Sequence, residues 1–305
     1  MKTIRIGNLG AGVQSTALYL LEMEGKIAST EAWIFADTGD EPKAVYAHLA
    51  WLESLNGPRI IRASNGVGLG DQLSRGMNAT GHRFVSIPAF TPEFDHLHRE
   101  GRIAAGCEYG QMKRQCTAEY KINVIERVIR REIVGLKHRQ RFPKDTHVQQ
   151  IFGLSDDEGK RIRRVKANYV KHRWASPSFP LMEMGWTRAS CMEFLKDRVP
   201  HETPRSACVF CPYRSAVEWE RLKTTDPEGW ARAVEVDNAL RVEGNVVNRG
   251  LNQKLYVHRH CIPLDMVDIV AEAAKERAKP RPVDMFAASD GFETCGGCSA
   301  GFCGN

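Results

Sequence analysis

The chain has 305 residues, of which 42% are hydrophobic and 26% charged, with a formal net charge of +6. This is the composition of an ordinary soluble protein with ample room for a core. No apolar run approaches the ~20 residues that a membrane-spanning helix needs, so we expect no membrane partner.

The first residues, Met1 and Lys2, lead straight into a predicted strand without a signal peptide, so we expect a cytosolic (cytoplasmic) protein. In that compartment the nine cysteines are not expected to form a disulfide scaffold. Metal, cluster or redox use is favoured, with plain buried thiols as the alternative. The positive charge suits an anionic ligand but does not by itself identify nucleic-acid binding.

The first predicted unit is a strand, a glycine turn and a helix. Residues 4–9 alternate as in a short strand, and 14–24 have apolar residues at helical spacing. The turn between them is rich in glycine, which lets a backbone approach an anion closely at the N–H groups of a helix start. Ser15 and Thr16 add hydroxyl groups there. The sequence therefore predicts a phosphate-binding turn, with an ordinary turn that binds nothing as the alternative.

Further strands and helices alternate along the chain. A strand over 31–37, a helix over 42–55 and a strand over 59–64 predict a parallel α/β sheet. Ligands of such sheets lie beyond the carboxyl ends of the strands. Asp37 follows the second strand, so it is expected at the same edge as the glycine turn. Its carboxylate can accept hydrogen bonds from ribose or adenine, hold Mg²⁺, or simply cap the next helix.

The later elements are predicted from the same signals. Val148 to Ser155 is a predicted strand, and one or two strands are expected around Lys254–His258. Helices are predicted at about 117–133, at 187–197 and over Pro263–Lys279. A further set of residues has the spacing of inward-facing helix positions and is predicted as core: Trp219, Leu222, Trp230, Ala233 and Val234.

A strongly basic run extends from Lys160 to Arg173 and contains seven Lys or Arg residues. One interpretation is the solvated face of a helix. The other is a contact surface for phosphate or nucleic acid.

The glycine turn resembles the PP-loop of the adenine nucleotide α-hydrolase superfamily, whose usual form is Ser-Gly-Gly-x-Asp-Ser. Gly10 stands in place of the serine and Gln14 in place of the aspartate. Gly-x-Gln-Ser is similar to the form in the phosphoadenylylsulfate (PAPS) reductase branch, and Asp37-Thr-Gly-x-Glu is similar to another element of these families. The resemblance spans roughly residues 4–225 and points to a PAPS reductase-like protein of the type found in phage and mobile-element genomes.

This resemblance implies an adenine nucleotide α-hydrolase-like, Rossmann-like fold: a parallel sheet with helices on both faces. We expect a nucleotide-binding domain over 1–243, with a cysteine-bearing helical part at about 187–243. A C-terminal extension with a mobile, cysteine-rich tail is expected over 244–305.

The resemblance also implies a set of nucleotide contacts. Related proteins have a strand followed by Asp-Glu-x-x-Arg, which makes Arg161 a candidate phosphate contact. The other implied residues are Gly10, Ala11, Gly12, Gln14, Ser15, Thr16, Asp37, Thr38 and Gly39.

Two cysteines, Cys208 and Cys211, form a Cys-x-x-Cys pair that places two thiolates within reach of one metal or cluster. Cys116 and Cys191 lie in segments that the resemblance marks, so they are the candidate partners. Several relatives hold a 4Fe-4S cluster near this part of the fold. Structural zinc on the same four cysteines is the main alternative, and a metal-free pair is another.

The segment Glu293-Thr-Cys295-Gly is similar to the Glu-Cys-Gly element that carries the nucleophilic cysteine of the reductases. Cys295 is therefore the candidate catalytic residue, with Cys298 or Cys303 able to resolve its intermediate as a disulfide. The alternative is a small metal-binding knob or a disordered tail.

Together these features predict an enzyme of sulfur chemistry that binds ATP or an adenylyl sulfate. The expected reaction is reduction of the adenylyl sulfate, or nucleotide-dependent sulfur transfer to a nucleic-acid base or other acceptor. The alternative is a non-catalytic nucleotide- or nucleic-acid-binding module with structural zinc. The sequence does not name the sulfur acceptor, the electron donor or the oligomeric state.

Overall fold

The computed structural model describes residues 1–76, 87–92, 110–242 and 254–279. The chain divides into two compact units, each built from two segments. The sheet unit comprises Met1–Asn65 and Ala118–Ala207, and the helical unit comprises Gly66–Thr117 and Cys208–Asn305. The predicted boundary at residue 243 falls beside residues outside the described ranges and stays a prediction.

The strands in chain order are β1 (Lys2–Leu9), β2 (Ala32–Asp37), β3 (Ile60–Ser64), β4 (Phe90–Thr91), β5 (Gly110–Gln111), β6 (Thr146–Phe152) and β7 (Ala175–Ser178). The α-helices in chain order are α1 (Val13–Met23), α2 (Lys43–Ser54), α3 (Leu69–Arg75), α4 (Asn123–Val128), α5 (Gly159–Tyr169), α6 (Pro180–Glu183), α7 (Arg188–Leu195), α8 (Ala216–Thr225), α9 (Pro227–Ala239) and α10 (Ile269–Ala278). Two π-helical turns, Ala118–Ile122 and Ile129–Ile133, extend α4 in both directions.

The sheet unit contains a five-stranded parallel sheet in the order β3-β2-β1-β6-β7. β2 and β3 lie on one side of β1, and β6 and β7 lie on its other side. The order of the strands therefore reverses between β1 and β6. In open parallel sheets such a switch point leaves a crevice at the carboxyl ends of the two strands. The loops after β1 and β6 therefore border the expected ligand position.

Helices cover both faces of this sheet. Successive side chains of a strand point to opposite faces, so Trp33 and Phe35 pack with α1, α2 and α7 in one apolar cluster. Ile34, from the same strand, packs in a second cluster with residues that follow α4, including Ile129. The prediction of an α/β fold built on a parallel sheet flanked by helices is confirmed, and it is compatible with a Rossmann-like fold.

A glycine in β1 makes room for the largest core side chain. A Cβ atom on Gly7 would lie 2.2 Å from Cδ2 of Trp33, so only glycine fits beneath this ring. Trp33 is fully buried, and its indole Nε1–H donates to Oε2 of Glu22 at 2.8 Å. The core thus depends on the bulky side chain of Trp33 in β2 and on the absence of a side chain at Gly7 in the neighbouring β1.

The helical unit is organised around a buried carboxylate on α9. Asp237 is fully buried, and its oxygens accept from the backbone N–H groups of Val257 at 2.8 Å and Leu264 at 2.9 Å. Arg241 lies 2.8 Å from the same side chain and balances its charge. These contacts hold the segment before α10 against α9.

Most predicted elements of the sheet unit are present within a residue or two of their expected ends. Of the predicted core residues on α8 and α9, Trp219, Leu222 and Ala233 are buried. The predicted strand around Lys254–His258 is wrong for the residues that the structure describes, where a single bridge joins Phe90 to Tyr256. The helix predicted over Pro263–Lys279 instead begins at Ile269, after a short 3₁₀ turn at Leu264–Met266. Among the described helices, none combines the length and the apolar composition needed to cross a bilayer.

Candidate functional site at the switch point of the sheet

The loop between β1 and α1 is closed by one hydroxyl group. Ser15 Oγ accepts from the backbone N–H groups of Gly10 and Gly12, both at 3.2 Å, and donates to the Gly12 carbonyl at 3.1 Å. Ala11, between the glycines, is fully buried and has a φ of 54°, which is strained for a residue with a Cβ. Strained backbone of this kind is concentrated at functional sites.

The loop after β6 approaches the start of α1 very closely. A Cβ atom on Gly153 would lie 2.9 Å from the backbone nitrogen of Ser15 and 3.2 Å from the carbonyl carbon of Gln14. A side chain at position 153 would therefore push the helix start away from β6. Glycine here brings the two loops of the switch point together.

The side-chain amide of Asn8, at the end of β1, has a described hydrogen-bond partner for its nitrogen but not for its oxygen. Asn8 Nδ2 donates to the carbonyl of Ile151 on β6 at 3.0 Å. Its Oδ1 is buried and has no hydrogen-bond partner within the described part of the chain. Ser206 Oγ is likewise buried without a partner there, and the Ser206 backbone lies beside Gly12. Unpaired buried oxygens are costly in a protein, so two of them around one loop indicate a place for ligand or water.

Gln14, in the first turn of α1, joins three elements of the sheet unit. Its Nε2 donates to Glu158 Oε2 at 3.1 Å and lies 3.4 Å from Ser155 Oγ. Its Oε1 accepts from Nη1 of Arg188, at the start of α7, at 2.9 Å. The side chain that departs from the usual PP-loop pattern thus lies between a carboxylate and a guanidinium.

We call the contacts of Gln14 with Ser155, Glu158 and Arg188 the polar network. Two arginines contact its members. Arg161, the predicted phosphate contact, pairs with Glu158, and its side chain is 51% exposed. Arg188 was not predicted as a site residue, although it contacts Gln14 directly. Its position in the Thr187-Arg188 pair at a helix start was the only signal in the sequence. Asn8 and Glu158 were missed in the same way.

The loop after β2 lies one strand from β1 at the same sheet edge. Asp37 Oδ1 accepts from the Gly39 backbone N–H and from the Tyr46 hydroxyl, both at 2.8 Å. Burial and the bond to Asp37 raise the pKa of Tyr46, so it remains a donor. Asp37 therefore stabilises its own turn, and α2 begins after Pro42 without a side-chain cap. Thr38 is buried, and Gly39 has a φ of 80°, which glycine adopts readily.

Glu41, the glutamate of the Asp37-Thr-Gly-x-Glu element, is a buried carboxylate that was not among the predicted site residues. Its Oε1 lies 3.5 Å from Thr38 Oγ1 and 3.6 Å from Lys121 Nζ. Its Oε2 is buried and, within the described residues, has no hydrogen-bond partner. This edge of the sheet therefore combines a carboxylate turn with the glycine loop, as predicted for the two motifs.

Thr16 contacts a pair of histidines instead of facing the loop. Its Oγ1 lies 2.8 Å from Nε2 of His48, and Nδ1 of His48 lies 2.8 Å from Nε2 of His201. Both Thr16 and His48 are fully buried. Burial, with a smaller effect of His201, lowers the pKa of His48 to about 4, so its imidazole is neutral at pH 7. Thr16 thus anchors α1 to α2.

The four predicted metal ligands are distributed between the two units. Cys191, in the sheet unit, is fully buried within an apolar cluster, and burial raises the pKa of its thiol to about 12. Cys116, Cys208 and Cys211 belong to the helical unit, where the Cys211 N–H donates to the Cys208 carbonyl in a tight turn. Over the described ranges, no group of three or more His, Cys, Asp or Glu side chains is arranged to hold a metal ion.

Because Cys191 and the other three cysteines belong to different units, the structure does not test the four-thiolate site, and no chemical step is derived through a cluster or zinc. Cys295, Cys298 and Cys303 lie outside the described residues. The ligand set and the catalytic cysteine stay predictions.

Comparison of the chain with protein-family models, with curated proteins and with solved structures found no match.

Proposed function

We propose that the chain binds an adenine nucleotide with its phosphates at the start of α1, as a PAPS reductase-like member of the PP-loop superfamily. The observation that carries the proposal is the position of the Gly10–Gly12 loop. It lies at the carboxyl end of β1, where strand order reverses toward β6. Both the crevice of a parallel sheet and the N–H groups of a helix start favour an anionic ligand at this point.

The unpaired oxygens and the polar network support the same position. Asn8 Oδ1 and Ser206 Oγ need donors, which a nucleotide's hydroxyl or amino groups or bound water can supply. Arg188 uses Nη1 for Gln14, and no described residue pairs with its Nε or Nη2 groups. A guanidinium held in this way suits phosphate, because its fork of donors matches two phosphate oxygens.

The reaction class that we propose is sulfur chemistry on the bound nucleotide, either reduction of an adenylyl sulfate or nucleotide-dependent sulfur transfer. Its support is the PP-loop-like turn together with the neutral Gln14, which places no negative charge beside the phosphates. In either reaction the loop donors would stabilise phosphate charge through a preorganised arrangement. An iron–sulfur cluster, if bound, would supply electrons or sulfur.

Nucleotide binding is tested with Gly12→Ala. The nearest atoms to a Cβ on Gly12 lie at 3.7–4.0 Å, so alanine fits the protein itself, whereas a phosphate on the loop would be crowded. We expect the variant to fold normally and to bind ATP, adenylylsulfate or PAPS about tenfold more weakly or worse by titration calorimetry. Equal affinity in the variant, or no binding of any of the three by the wild-type chain, would contradict the proposal.

The reaction is tested by anaerobic incubation with each nucleotide. Sulfite with AMP identifies adenylylsulfate reduction, and sulfite with adenosine bisphosphate identifies PAPS reduction. AMP with pyrophosphate identifies ATP-dependent activation. Absorbance near ~400 nm with iron and sulfide analysis of the same anaerobic protein tests the cluster. One zinc per chain and no turnover would instead favour the non-catalytic module.

A further inference from the structure

The sheet unit carries a concentration of positive charge of which the candidate nucleotide site includes only Arg161. Residues 127–144 and 159–182 contain fourteen Lys or Arg residues and one carboxylate, Glu132. The whole chain has a net charge of only +6, so the excess is local to these two segments. We call the two segments together the basic track.

The basic side chains on α5 face solvent. Ile162 is buried, and Val165 and Tyr169 are half-buried, so one stripe of the helix packs inward. Arg163 on this helix is exposed, as are Lys171 and Arg173 just after its end, and no carboxylate in the described part of the chain pairs with these three. A helix face that served only solubility would be expected to mix both signs of charge.

An aromatic stack joins the two segments of the track. The rings of Phe142 and Trp174 lie 4.6 Å apart and are nearly parallel, and both side chains are half-buried. The Arg130 guanidinium lies 6.0 Å from the Phe142 ring and donates to the carbonyl of Gln140 at 2.7 Å. The loop over 137–144 is thereby fixed beside the end of the α5 segment, so the cations of both form one surface.

The other end of the track reaches the candidate nucleotide site. Arg161 on α5 pairs with Glu158, which accepts from Gln14 on α1. An α-helix of 11 residues such as α5 is about 16 Å long at its usual rise per residue. The basic track therefore extends over at least that distance from the polar network toward Trp174.

We infer that the basic track is a binding surface for the phosphate backbone of a nucleic acid. A nucleic acid is a linear polyanion with closely spaced charges, which matches a run of cations better than a compact anion does. Nine of the fourteen basic residues are arginines, whose planar donors suit phosphate oxygens. A membrane surface fits less well, because Ile162 is already buried within the protein and Val170 is the one large apolar side chain that the two described segments expose.

The test compares two triple variants with the same loss of charge. Arg163→Gln, Lys171→Gln and Arg173→Gln together remove three cations of the track. Lys196→Gln, Lys223→Gln and Lys279→Gln remove three exposed cations elsewhere. Binding of labelled 20-nucleotide single-stranded DNA and of the matching duplex is measured by fluorescence anisotropy between ~50 and 200 mM salt, without added nucleotide.

We expect the wild-type chain and the control triple variant to bind at least one of these DNAs. In the track variant the affinity should fall about tenfold or more, and the slope of log affinity against log salt should shrink by roughly 2–3. Equal effects of the two triple variants, absent binding by the wild type, or equally tight binding to anionic vesicles would each overturn the inference.

The outcome is separable from the proposed function. Gly12→Ala should bind DNA as the wild type does, and the track variant should retain the wild-type affinity for adenine nucleotide. Loss of DNA binding in Gly12→Ala would show that the loop, and not the track, carries the interaction.

Discussion

Replacing Gly153 by alanine tests whether the close approach of the two switch-point loops makes the site. The added Cβ would lie 2.9 Å from the nitrogen and 3.1 Å from the Cα of Ser15, and 3.2 Å from the carbonyl carbon of Gln14. All three are backbone atoms, so no side-chain rotation can relieve the contact, and the start of α1 must move by a few tenths of an ångström. Overpacking of this kind costs about 1–3 kcal/mol of stability.

The same displacement acts on the site, because the moved atoms carry the helix N–H groups and the Gln14 side chain. We expect the affinity for adenine nucleotide to fall about tenfold or more, which corresponds to roughly 1.4 kcal/mol of binding free energy. Stability is measured by urea unfolding and affinity by titration calorimetry on the folded variant.

Gly159→Ala is the matched control for this substitution. Its Cβ would lie 3.7 Å from Nη1 of Arg163, an ordinary contact, and position 159 begins α5. Alanine there should be neutral or stabilise the chain by up to about 1 kcal/mol, with unchanged nucleotide affinity. Wild-type nucleotide affinity in Gly153→Ala would refute the argument that this approach shapes the binding site.

Three further substitutions test the core and the titrating groups. His48 has its ordinary pKa of 6.5 in the unfolded chain and a pKa of about 4 in the folded chain. The stability that neutral His48 contributes is therefore complete above pH 6.5 and declines as the pH falls toward 4. Between pH 7 and 5 this loss amounts to about 2 kcal/mol, so the stability of His48→Gln in urea unfolding should fall by about that much less than the stability of the wild type, and an equal fall in both would contradict this account. Gly7→Ala should lower the free energy of unfolding by about 3 kcal/mol or more in thermal unfolding, because the added Cβ would overlap the Trp33 ring. Near-wild-type stability would show that the ring can move aside. Asp237→Asn should lower the free energy of unfolding by about 3 kcal/mol in the same measurement, because one of the two accepting oxygens becomes an N–H donor that faces a backbone N–H. A loss below about 1 kcal/mol would argue against a stabilising role of these two hydrogen bonds.

The elements around β1 and β2 could be predicted because their signals are local. Five of the six residues of β2 are buried, so the strand appears in the sequence as an apolar run. The glycines after β1 and Pro42 before α2 mark where the chain turns. Strand alternating with helix then implies the parallel sheet without knowledge of any tertiary contact.

The strand β7 was missed because its signal is not local. Its sequence, Ala-Ser-Pro-Ser, has low strand propensity, and Pro177 lacks a backbone donor. Among the described strands it pairs only with β6, and proline is tolerated on such an edge. The strand forms because its backbone hydrogen-bonds to the open edge of β6. That edge exists only once the sheet has formed, so the local sequence does not reveal it.

The position of Cys191 shows what residue type alone leaves open. Cys191 and Leu195 are four residues apart on α7, a spacing that puts both on one face of the helix, and both are buried in the same apolar cluster. The motif resemblance marked Cys191 as a ligand, whereas the helical spacing was equally compatible with a core position. Residue type alone does not separate a thiolate ligand from a small apolar side chain.

The contacts of Gln14 give a physical reason for glutamine, rather than aspartate, at position 14. Glu158 Oε2 lies 3.1 Å from the amide nitrogen of Gln14, so an aspartate at position 14 would bring a second carboxylate toward Glu158. An amide can donate to the carboxylate and accept from the guanidinium at the same time, whereas a carboxylate can only accept. Positions 14 and 158 therefore constrain each other across the switch point. The neutral side chain at position 14 suits the acidic turn after β6, because it contacts Glu158 and Arg188 together without adding a second carboxylate.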